Sequence, residues 1–208
     1  MGTALFDNQS VPATPVAGKS RLYVDSTTKR PISIDDSGLP RGTFLSGNDS
    51  TASQTLGTAN TYVTNSGILI PSMGMKAGML FRWYAFYTKT AASTATVAYT
   101  VVIGSTQTTS DTVRGTLTSV AQTAVVDGGM FLFCFHIRSV GASGATAFNF
   151  SIGGKVAANA VGFGSSALDV VPGTFDNSAL AGQYVGLCIN PGAASAWTST
   201  MVECKLTG

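Results

Sequence analysis

"MFLFCFHIRSV", Met130 to Val140, alternates with a period of two. Phe131, Phe133, Phe135 and Ile137 fall on one side, and Leu132, Cys134, His136 and Arg138 on the other. Successive side chains of a strand point to opposite faces, so this is the spacing of a strand with one face against a core. A helix would need its apolar positions three and four residues apart. Working outward, the same texture recurs. "MLFRWYAFYTKT" (Met79–Thr90) predicts an aromatic strand, and "TATVAYTVVIG" (Thr94–Gly104) a β-branched one. "DTVRGTLTSV" alternates less cleanly, whereas "ATAFNFSIGG" sets Phe148, Phe150 and Ile152 together. "TYVTNSGILIP", "QYVGLCIN" and "WTSTMVECKL" complete the set, the last with Val202, Cys204 and Leu206 aligned.

About eight strands with turn residues between them, and no segment with a period of 3.6, predict an all-β fold. The expected architecture is a jelly-roll-like β-sandwich over residues 61–208. Aromatic residues on both sides of Met79–Thr90 predict a strand buried between layers. Trp197 is the better candidate for a surface ring. Composition agrees: the chain has a single Glu, and its Thr, Val and Gly disfavour helix and favour strands and turns.

Residues 1–20 are punctuated by Pro12, Pro15 and Gly18, which predicts an extended lead rather than a helix. "RLYVDSTTKRPISIDDSG" (Arg21–Gly38) then reads as strand, polar turn and strand, a short hairpin too small to be stable alone. From Gly38 to Asn60 the chain is largely polar, with Phe44–Leu45 as its one apolar knot. Three parts are therefore expected: an arm with hairpin over residues 1–40, a linker over 41–60, and the sandwich.

Chemistry is scarce. Of the 208 residues 11% are charged, against a usual ~25%, and the net charge of +2 is scattered. No basic patch of the kind nucleic acid requires is present. "MGTALFDNQS" lacks the basic and apolar regions of a signal peptide, and no apolar run is long enough to span a membrane. Cys134, Cys188 and Cys204 are odd in number and far apart, which favours three small buried hydrophobes over a disulfide framework or zinc site. His136 is the single histidine, so any triad or histidine metal site would have to use it. Its place on the less apolar side of a strand predicts a plain surface histidine. "GFGSSA" (Gly162–Ala167) matches a dinucleotide fingerprint only on paper, without the strand–helix context that gives the motif its meaning. Asp35 and Asp36, adjacent on an extended chain, point apart and converge on no substrate. No enzyme, cofactor or metal is expected.

The run "VPATPVAGKSRLYVDSTTKRPISIDDSGLPR" resembles N-terminal segments of structural proteins of tailed bacteriophages: head decoration proteins, head fibres and tail-associated proteins. "SGILIPSMGMKAGMLFRWYAFYTKTAASTA" and "TSDTVRG" are similar to stretches of β-sandwich domains from such virion proteins. The resemblance implies an N-terminal segment that grips the particle, binding the major capsid protein or other virion proteins, and a β-rich part that projects or assembles as an oligomer. It implies a protein of the virion, synthesised in the host cytoplasm. The residues themselves are compatible with that layout. Forty extended residues reach ~130 Å, and sparse apolar anchors on a polar arm suit strand addition to another sheet. Leu5, Phe6, Leu22, Tyr23, Val24, Ile32 and Ile34 are the expected partner-binding residues. Homo-oligomerisation, with a trimer favoured, would let several arms bind together and raise avidity by about 10²–10⁴-fold. The alternative reading is a tail-associated receptor- or carbohydrate-binding protein, with contacts from the loops around Gly141–Gly144 and Gly162–Ser166.

Overall fold

The computed structural model describes residues 8–10, 12–27, 31–34, 40–41, 46–92, 94–153, 169–193 and 196–207. All regular structure among them is β. The chain opens with four short strands: β1 (Asn8–Gln9), β2 (Arg21–Asp25), β3 (Pro31–Ile34) and β4 (Pro40–Arg41). They form a sheet of their own in that order, with β1 parallel to β2 and the other pairs antiparallel. The expected hairpin is thus present as β2–β3, with Tyr23 opposite Ile32, and gains a strand on each side.

The rest begins earlier than the composition suggests. β5 (Ser46–Ser50) and β6 (Gln54–Leu56) precede β7 (Thr61–Tyr62), β8 (Ile68–Leu69), β9 (Leu80–Lys89) and β10 (Ala98–Gly104). Then come β11 (Thr112–Thr118), β12 (Asp127–Ile137), β13 (Gly144–Gly153), β14 (Asp169–Phe175), β15 (Tyr184–Asn190) and β16 (Trp197–Thr207). One sheet runs β14-β13-β12-β9-β16-β5, with β6 also on β16; the other runs β11-β10-β15-β7, with β8 also on β15.

Each strand of the first half pairs with its counterpart from the second half: β5 with β16, β7 with β15, β9 with β12 and β10 with β11, all antiparallel. That nested pairing across two sheets is the jelly-roll order. The β13–β14 hairpin is an addition that widens one sheet beyond β12. The segment expected as a linker therefore corrects to the first strands of the sandwich. A run such as "SGNDS" shows no apolar alternation, because it pairs through backbone at the sheet's edge.

Between the sheets lies an aromatic core. Phe81, Trp83 and Tyr87 of β9, Phe131, Phe133 and Phe135 of β12, and Trp197 of β16 are all buried. Tyr99 of β10 crosses the gap: its ring stands 5.2 Å from Phe133, 6.1 Å from Phe131 and 6.3 Å from Trp197, centroid to centroid. Tyr87 meets Phe131 edge to face at 5.2 Å, the geometry ring quadrupoles favour.

Two expectations are corrected here. Trp197 is interior, its Nε1–H donating to Gln122 Oε1 at 2.7 Å. β9 is covered on one face only, since Arg82 and Tyr84 are half-buried and Phe86 is exposed. The strands buried on both faces are β10 and β15 of the other sheet, whose middle five residues are all covered.

Candidate functional site

The predicted partner-binding residues divide by face. In β2 and β3 the register sets Tyr23 and Ile32 on one side, with Ile34; these are 3%, 1% and 1% exposed. Leu22 is opposite Ser33 on the other side and is 60% exposed, with Val24 half-buried beside it. Three of the expected anchors, Tyr23, Ile32 and Ile34, are thus already covered within the chain. The outward face, with Leu22, is what a partner can meet, together with Val16, 73% exposed in the preceding turn. Leu5 and Phe6 lie outside the described residues, as do Asp35, Asp36 and the Gly162–Ala167 loop.

Among the described residues no group of three or more His, Cys, Asp or Glu side chains is placed to hold a metal ion, and no helix is long and apolar enough to cross a membrane. His136 is exposed on the outer face of β12, where its cross-strand neighbours are Leu80 and Ala147. The cysteines are free thiols. Burial pushes the Cys188 thiol up to about 12, with the Asp111 charge adding to the effect. Burial also raises Cys134, against a smaller lowering from Arg82. Cys204 is buried, and its Sγ lies 3.5 Å from the Asn65 carbonyl. Neither Cys134 nor Cys188 thus has the lowered pKa of a nucleophilic or metal-binding thiolate.

A cleft of about 510 Å³ opens beside the five-stranded sheet. Asn60, Tyr62, Thr64 and Asn65 form one wall, and Gln107 and Thr108 of the β10–β11 hairpin the other. No motif in the sequence marks this place. Forty-odd residues separate the two walls, and only the pairing of β7 and β10 with β15 brings them together.

Local structure explains each wall. Tyr62 is opposite Cys188, and its ring leans toward Gly186, two residues away on the same side of β15. A β-carbon at Gly186 would collide with the phenol, and one at Gly67 with the Gln107 amide. The free edge of Tyr62–Thr64 is held by one side chain: Gln54 Nε2 donates to the Tyr62 carbonyl and Gln54 Oε1 accepts from Thr64 N–H, both at 2.9 Å. The following turn is fastened to the core by Trp83 Nε1–H on the Ser66 carbonyl, 2.7 Å, and by Leu187 N–H on Ser66 Oγ, 3.0 Å.

Across the cleft, Asp111 organises the hairpin tip. Its Oδ1 accepts from Thr106 Oγ1 at 2.7 Å and Thr106 N–H at 3.2 Å, and Oδ2 from Thr108 N–H at 3.4 Å. Burial alone would raise this carboxyl, but the hydrogen bonds outweigh it and hold it below the usual carboxylate range. Gly104 leaves the space that Asp111 fills.

Two non-glycine residues in the described chain have positive φ, Asn65 at 61° and Gln107 at 55°, and both line this cleft. Such conformations are costly for residues with a β-carbon, persist only where surroundings impose them, and cluster at functional sites. By contrast the Gly141–Gly144 loop, expected as a contact loop, is stapled internally. Asn177 Oδ1 accepts from Gly141 N–H at 2.9 Å, and its Nδ2–H donates to the Ser139 carbonyl at 3.0 Å.

A second surface is apolar. On the outer face of the seven-stranded sheet Met130, Phe86 and Met201 stand side by side across β12, β9 and β16, and each is more than a third exposed. A bulge between Ser199 and Met201 sets this row in register.

Compared with known protein families, curated proteins and solved structures, the chain matches none.

Proposed function

We propose that this chain is a non-enzymatic structural protein of a bacteriophage particle. Its N-terminal sheet docks on the capsid or another virion protein, and its jelly roll is displayed outward as decoration or head fibre. The observation that carries the reading is the division of the described chain into two unequal parts. β1–β4 pair only with one another, while all later strands build the jelly roll. A small sheet with exposed Val16 and Leu22, paired with no strand of the sandwich, suits an attachment module. The resemblance of residues 11–40 to phage N-terminal segments supplies the kind of partner. Repeated display on a lattice would compensate for weak individual docking. The Met130–Phe86–Met201 row gives the sandwich an apolar surface for self-association.

Deleting residues 1–40 removes β1 to β3 and no jelly-roll strand. The truncated protein is expected to remain folded by circular dichroism and to be lost from sedimented particles. Leu22→Asp, at an exposed position, should weaken incorporation with the fold intact. Normal incorporation of both variants would defeat the proposal.

A further inference from the structure

We propose that the cleft between the β7–β8 turn and the β10–β11 hairpin is a binding site for a neutral saccharide. The inference concerns the jelly roll alone and stands or falls apart from the docking of the N-terminal sheet.

The first argument is chemical. Asn60, Asn65 and Gln107 bring three primary amides to the cleft, and Thr64 and Thr109 add hydroxyls. Each amide offers one acceptor oxygen and two donor hydrogens, and each hydroxyl both donates and accepts. Neighbouring hydroxyls of a sugar ring present the same mixture at similar spacing, so the two sets can satisfy one another. Among the described residues lining the cleft, Tyr62 supplies the large ring, suited to the C–H face of a pyranose. Among the described residues no Lys, Arg or His lines the cleft, which disfavours phosphate, sulfate or an acidic sugar. The nearby Asp111 carboxylate is turned to its own loop, where Thr106 and Thr108 occupy it. The volume of about 510 Å³ lies within the usual range for small-ligand sites.

The second argument concerns polar satisfaction. Asn60 Oδ1 is covered and has no hydrogen-bond partner in the chain. Buried amide oxygens are normally paired, and an orphan carries an uncompensated desolvation cost. A ligand hydroxyl supplies the missing donor. Because the Asn60 side chain holds no internal hydrogen bond, turning it toward a ligand breaks none.

The third argument is preorganisation. Gln54 fixes one wall and Asp111 the other, and the positive-φ turns at Asn65 and Gln107 are fastened by Ser66 to the core and by Asp111 to the hairpin. A site rigid before binding loses less freedom on binding, which favours affinity for a small ligand.

The test applies full-length protein to an array of neutral glycans (hexose- and N-acetylhexosamine-terminated) and acidic glycans (sialylated and sulfated), followed by calorimetric titration of the best neutral oligosaccharide. The comparison proteins are Asn60→Ala, which removes the orphan, and Gln107→Gly, which removes an amide where glycine suits the backbone. Saturable binding of neutral glycans is expected, weakened roughly tenfold or more by each substitution. The melting temperature of Asn60→Ala should stay level or rise, since no internal bond is lost. Binding restricted to acidic glycans, no glycan binding by the folded protein, or affinity unchanged in both variants would each overturn the site. So would a lower melting temperature for Asn60→Ala with binding intact, which would place the residue in the fold alone.

Discussion

At the scale of single residues, the polar groups of this sandwich are few and heavily used. Asp111 is the clearest case, because one carboxylate fixes a seven-residue connection between β10 and β11. Its folded pKa lies below the unfolded value of ~3.9. The stability it contributes is therefore complete above that unfolded value and is lost as pH falls through the lower, folded one. Asp111→Asn should flatten the acid side of the stability profile, read as denaturant midpoints from about pH 5 to about pH 2. An unchanged acid limb would show that these hydrogen bonds do not favour the charged form over the neutral one. None of this was legible beforehand. Asp111 reads in the sequence as one more turn aspartate, and the space cleared for it by Gly104 has no local signature.

Elements were legible in proportion to their apolar alternation. β9, β12 and β16 are long, cross the middle of the sheet, and bury every second side chain over most of their length, so their period of two survives in the sequence. β5 and β14 do not show it. β5 is a polar edge strand, and β14 carries Pro172, which a strand tolerates only where its missing N–H is not needed by a neighbour. Trp197 looks like the better surface-ring candidate in the sequence because nothing near it announces Gln122, 75 residues away, as the acceptor for its indole.

Gln122 belongs to this scale, since it binds elements to one another. Its Nε2 donates to the carbonyls of Ala95 and Pro191 at 2.9 Å each, while its Oε1 takes the Trp197 N–H. Lys89 pins the same connection through its Nζ, which donates to the carbonyls of Thr123 at 2.8 Å and Val125 at 3.3 Å. Gln122→Leu keeps the bulk and removes these partners, and should cost about 2–3 kcal/mol. Urea denaturation followed by tryptophan fluorescence measures it, and a loss near zero would mean that water replaces the amide.

For the whole molecule, the jelly-roll class follows from eight or so short strands, but its order does not. Which strands pair depends on contacts far apart in sequence, such as β5 with β16, and no periodicity encodes them. The candidate cleft was unreadable for the same reason, although Gly67 and Gly186 are traces of it, each making room for a side chain remote in sequence. At this scale the exposed Met130–Phe86–Met201 row predicts self-association. Phe86→Lys should shift the protein toward monomer in analytical ultracentrifugation while the far-UV spectrum stays the same. If the unmodified chain already sediments as a monomer at tens of micromolar, the row has another use.

The guarded sulfurs have a consequence for where such a chain can travel. With Cys188 and Cys204 enclosed and the two thiols whose acidity is shifted, Cys134 and Cys188, both moved away from ionisation, no readily formed thiolate is offered to air or to a neighbouring copy. A molecule made where reductants are plentiful and then released into oxygenated surroundings would therefore keep its thiols as they are, needing neither a bridging bond to hold it nor protection against acquiring one by accident.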